Sequence, residues 1–108
     1  MTQSEAEMRT TLALDAIKQA LGTEADEYGA TLFVKHHLEE MPKSYWERHL
    51  GTANPQQAAV IGLLELRSHW GEDELENFDF TLPDDATNYV VSVHFDNAGQ
   101  VDGISMES

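Results

Sequence analysis

Apolar positions along the first two thirds of the chain recur near the helical period, and along the last third they alternate. From about residue 4 to residue 21, Met8, Leu12, Leu14, Ile17 and Leu21 recur at intervals of two to five that average near the helical period, and Gly22 follows as a stop. Thr23 with Asp26 three positions on approximates a capping box, which opens a second helix over about 24–40 with Tyr28, Leu32, Phe33 and then Leu38 or Met41 as its apolar set. Gly29 and the run at 31–34 would equally suit a short strand. Pro42 ends this element, and Ser44 with Glu47 caps a short third helix that carries Tyr45, Trp46 and Leu50 and closes at Gly51. Asn54 and Pro55 are start signals for a fourth helix, whose stripe of Ala58, Ile61, Leu64 and Leu66 runs on to a stop at Gly71, just after Trp70.

Beyond this point the period changes to two. Phe78, Phe80 and Leu82 alternate with Asn77, Asp79 and Thr81 up to Pro83, and Tyr89, Val91, Val93 and Phe95 alternate with Val90, Ser92 and His94. Asp96, Asn97, Ala98 and Gly99 form a hairpin turn into a last strand from Gln100 to about Met106. One face of such a sheet is too apolar for water and needs amphipathic helices over it. The expected fold is therefore α+β, with about four N-terminal helices packed on one face of a C-terminal three-stranded antiparallel meander. Residues 1–108 form one domain, without repeat or linker.

Charge narrows the partners. The net charge is −14, and all six bases (Arg9, Lys18, Lys35, Lys43, Arg48, Arg67) precede Ser68, so the remainder carries ten acids and no Lys or Arg. Such a field repels phosphates and anionic lipid surfaces and attracts basic proteins at rates that fall with salt. The expected partner is a basic protein, with neither nucleic acid nor membrane engaged. Its contact residues are Glu72, Asp73, Glu74, Glu76, Asp79, Asp84 and Asp85, although acidic loops of this kind usually serve only as solvated surface. A meander also has two edges, through which a homodimer could form. With no cysteine, no basic-then-apolar leader and no run of 18 apolar residues, the expected compartment is the cytoplasm.

Candidate chemistry is sparse. Five histidines (His36, His37, His49, His69, His94) invite a metal or acid–base reading, but none is paired at the i, i+4 spacing that stacks two ligands on a helix. His37 and Glu40, with His36 adjacent, form the best metal candidate, and Asp79 beside His94 across two strands forms the best acid–base pair. Solvated or helix-end histidines and an exposed cross-strand pair are the ordinary alternatives. Trp46, Tyr45 and Trp70 suit interface anchoring, but a domain of this size needs such side chains to fill its core. The segment 96–103 resembles a calcium loop only in passing, because Ala98 stands where a third-position oxygen ligand is needed. No phosphate loop, dinucleotide fingerprint or serine-hydrolase elbow is present, and no cofactor is implied.

The segments FVKHHLEE at 33–40, FDFTLP at 78–83, TNYVVSVHFD at 87–96 and ISMES at 104–108 resemble a family of small bacterial proteins classed as a domain of unknown function. The resemblance extends from about residue 25 onward. It implies a bacterial cytosolic protein and brings no catalytic residues with it. The reading that results is a protein-binding or regulatory module, immunity-like in character, with a small hydrolase built on His36, His37 and Glu40, or on Asp79 and His94, as the alternative.

Overall fold

A computed structural model describes residues 4–107. Residues 1–3 of the polar N-terminal stretch, and Ser108 at the end of the last resembling segment, lie outside the described residues. Helix α1 (Glu5–Ala20) starts on the Ser4 hydroxyl, which accepts from the Glu7 amide at 3.1 Å. Its buried face is Ala13 and Ile17, whereas Met8 and Leu12 of the expected stripe are exposed. A 3₁₀ turn (Glu24–Asp26) leads to α2 (Ala30–Glu40), so residues 31–34 are helical. Here too the stripe is displaced: Phe33, Val34 and His37 are buried, while Leu32 is partly exposed and Tyr28 lies outside the helix in solvent.

The expected capping boxes do not form. Thr23 gives its hydroxyl to the Ala20 carbonyl, and Asp26 caps α2 from a buried position. Its carboxylate accepts from the amides of Ala30 (3.2 Å) and Thr31 (2.8 Å) and from the Thr31 hydroxyl (2.8 Å). Gly29 is what permits this, since a Cβ there would stand 2.2 Å from Asp26 Oδ1. Helix α3 (Lys43–Leu50) begins after Pro42 without a side-chain cap and ends on Gly51 in the left-handed region (φ 72°).

The largest departure from expectation lies between residues 55 and 71. Only Gln57–Ile61 is helical (α4), and Glu65–Trp70 is a strand, β1. With β2 (Asn77–Thr81), β3 (Val90–Phe95) and β4 (Val101–Glu107) it forms a four-stranded antiparallel sheet in the order β1-β2-β3-β4, one strand more than the expected three. Strand β1 carries a bulge. Leu66 faces Phe80 and His69 faces Phe78, so residues three apart on β1 match residues two apart on β2. The extra residue falls at Arg67 and Ser68; of the expected helical stripe, Ala58 and Ile61 lie on α4, Leu64 lies between the two elements and Leu66 lies on β1.

The helices lie on one face of the sheet. Phe78, Phe80, Leu82, Val91, Val93 and Phe95 join Ile17, Phe33, Val34, Trp46, Val60 and Ile61 in one core. Tyr45 and Trp46 are buried there as a core role requires, whereas Trp70 is 51% exposed. No described helix is long and apolar enough to cross a membrane.

Candidate functional site

Among the described residues, the second face of the sheet carries no helix. Its outward side chains form an open groove of about 810 Å³, with Trp70 and Arg67 at one side, Asp79 and Ser92 on the floor, and Ser105 and Glu107 at the far side. Strand alternation places them together, because Trp70 pairs with Asn77, Asp79 with Ser92, and Ser92 with Ser105. The Trp70 indole N–H donates to Asp79 Oδ2 at 3.0 Å, which holds the ring over the groove, while Asp79 Oδ1 is covered and has no hydrogen-bond partner among the described residues. The Ser105 hydroxyl donates to Glu107 at 3.0 Å.

The seven acids expected to act together are divided by this fold. Glu72, Asp73, Glu74 and Glu76 lie in the β1–β2 connection at one end of the sheet, Asp79 lies in the groove, and Asp84 and Asp85 follow β2 at the other end. The two terminal groups are therefore separated by the length of β2, roughly 17 Å for five residues. Asp84 is also engaged, accepting from Arg48 at 3.1 Å and His49 at 2.8 Å on α3. Asp73, Glu74, Asp84 and Asp85 all have positive φ, between 51° and 69°. The first group is held down by Arg9, whose guanidinium donates to the Leu75 carbonyl at 2.8 Å and to Glu5 at 2.9 Å and lies over the Phe95 ring.

The histidine constellations do not assemble. His37 is 1% exposed and both its ring nitrogens are used, Nδ1 against the Phe33 carbonyl at 2.7 Å and Nε2 against the Thr87 hydroxyl at 2.9 Å. It is a core residue, not a solvated one, and burial pushes its pKa below the ordinary histidine value. The Phe33 carbonyl and Glu40 oppose that shift, and His36 adds to it. No cluster of three or more metal-ligating side chains forms among the described residues.

His94 stands opposite Asn77, diagonal to Asp79, and its partner is Asp102 on β4 instead. The hydrogen bond to Asp102 holds the His94 pKa above its ordinary value against slight desolvation, with the charges of Asp102, Glu76 and Asp96 adding to the effect. Its other nitrogen faces the Glu76 carboxylate at 4.0 Å, and among the described residues no hydroxyl is hydrogen-bonded to this imidazole.

Sequence reasoning missed Trp70, Arg67, Ser92, Ser105 and Glu107 as groove residues, because assigning residues 65–70 to a helix removed the strand that completes the face. Trp70 and Asp79 each stand out in the sequence, and the true register sets them diagonally across β1 and β2. No protein-family model, curated protein or solved structure matches this chain.

Proposed function

We propose that this protein is a binding or regulatory module that receives a basic segment of a protein partner in the groove on the open face of its sheet. The observation that carries the reading is the groove itself, with an exposed tryptophan held in place by its hydrogen bond to Asp79. An exposed, flat aromatic ring in a groove lined by carboxylates suits an arginine or lysine side chain, which stacks on the indole while Asp79 holds the ring in place. Glu107 on the far rim, and Glu76 and Asp102 beside the lining His94, extend the same sign of charge, and among the described residues Arg67 is the one Lys or Arg that lines the groove. Asp84 and Asp85 contribute to the long-range field that steers a basic partner rather than to direct contact. A bacterial cytoplasmic setting and an immunity-like role are part of the same proposal, supported by the charge, the lack of cysteine and the family resemblance.

The test is affinity recovery of the tagged protein from its native cell, with Trp70→Ala and Asp79→Asn forms alongside. A basic protein that co-elutes in stoichiometric amount with the wild type, leaves with moderate salt and is lost from both variants supports the reading. A partner held equally by all three forms contradicts it.

A further inference from the structure

The two edges of the sheet are not alike. On β4 the outward Met106 amide donates to the Tyr28 carbonyl at 3.4 Å, and Gly29 packs so closely that a Cβ there would stand 3.0 Å from the Ile104 carbonyl. That edge is occupied. On β1, among the described residues, no backbone hydrogen bond reaches the outer side of Leu66. Its direction follows from alternation: with Met106 facing outward, its partner Val91 faces β2, Phe80 faces β3, and Leu66, opposite Phe80, turns its N–H and C=O away from the sheet. The Leu66 side chain is also left 39% exposed, although Phe80 beside it is fully buried.

Glu65 and Arg67 flank Leu66, are exposed, and make no ion pair within the chain among the described residues. We infer that β1 pairs antiparallel with β1 of a second copy of this chain, about a two-fold axis at Leu66. In that register Leu66 exchanges both backbone hydrogen bonds with the partner's Leu66, and the two leucines cover each other. Glu65 then lies opposite the partner's Arg67, and Arg67 opposite the partner's Glu65, at the close separation of a non-hydrogen-bonded pair. The next symmetric registers in either direction set Arg67 against the partner's Arg67, or Glu65 against the partner's Glu65, so charge selects the register as well as the partner. The bulge at Arg67 and Ser68 confines pairing to the first half of β1 and leaves the groove beyond Trp70 open. Two identical sites per assembly result. The inference does not depend on what the groove binds.

Sedimentation equilibrium at moderate salt reads this directly, with circular dichroism confirming the fold of each form. The wild type populates a dimer by a concentration on the order of 100 µM, as suits a small interface. Glu65→Arg and Arg67→Glu each set like charges opposite one another and weaken dimerisation about tenfold or more. An equimolar mixture of the two single variants forms a one-to-one heterodimer, and the double variant, which restores both pairs in reverse, returns to within about threefold of the wild type. A wild type that remains monomeric up to about 1 mM overturns the proposal whatever the variants do. So do single variants that associate like the wild type, or a mixture and a double variant that remain as weak as either single form.

Discussion

At residue scale, Asp26 and His37 show how polar groups earn a place in this core. Asp26 is 5% exposed and takes three hydrogen bonds from the first turn of α2, while the Thr31 hydroxyl in turn accepts from the Gly22 amide. Asp26→Ala strips that terminus of its acceptor, and the expected loss is about 2–3 kcal/mol in a urea titration with little change in m-value. His37 sets a pH dependence whose sign follows from linkage. Its folded pKa is lowered, so below about pH 6.5 the unfolded chain binds the proton that the folded one resists, and stability falls as pH falls through that window. His94 acts oppositely: its folded pKa is raised, so its contribution is present below about pH 6.5 and is lost as pH rises through the raised value. Because His94 is exposed, its share is the smaller. Urea midpoints at mildly acidic and neutral pH should therefore converge in a His37→Leu variant, and an undiminished acid sensitivity would assign that dependence to other groups.

At the scale of elements, the readable parts of the sequence were those whose pattern is local. The alternation through Phe78, Phe80 and Leu82, the β3 pattern from Val91 to Phe95 and the Asp96 turn appear as expected, whereas Tyr89 lies before β3 and is exposed; Asp96 Oδ1 accepts from the Ala98 and Gln100 amides at 2.9 and 3.0 Å. What escaped was set by tertiary geometry. The α1 face that packs is built on Ala13, too small to stand out beside Leu12, and the α2 face includes a histidine that apolar periodicity does not count. The apolar spacing of Ala58 and Ile61 on α4 continues through Leu64 to Leu66, and extending the helix along it cost the sheet its fourth strand. The groove was correspondingly illegible, since its floor and one wall lie on either side of that strand pairing. Gly71 marks the true boundary here: at φ 95° and ψ −157° it lies where essentially only glycine is found, and a Cβ would stand 2.5 Å from the Glu76 Cβ. Gly71→Ala should cost about 2–4 kcal/mol by strain and clash together, read as a lowered urea midpoint; a neutral effect would show that the β1–β2 connection adopts another course.

At the scale of the whole molecule, the described helices take one face of the sheet and leave the other, and acids outnumber bases both before and after Ser68. With −14 spread over 108 residues, long-range repulsion keeps copies apart at low salt and brings basic proteins in, and salt weakens both effects. Self-association through β1 should therefore strengthen modestly with salt while capture of a basic partner weakens, and sedimentation and binding measured over the same salt range separate the two. The central claim, that the open groove is the docking face, is tested most directly by mapping amide and indole chemical shifts on adding the recovered partner. The account predicts that the largest changes fall on the Trp70 indole and on Asp79, Ser92 and Ser105, with α1 and the buried Trp46 indole unmoved. Changes centred on Met8, Leu12 and the outer face of α1, with the Trp70 indole unaffected, would contradict it.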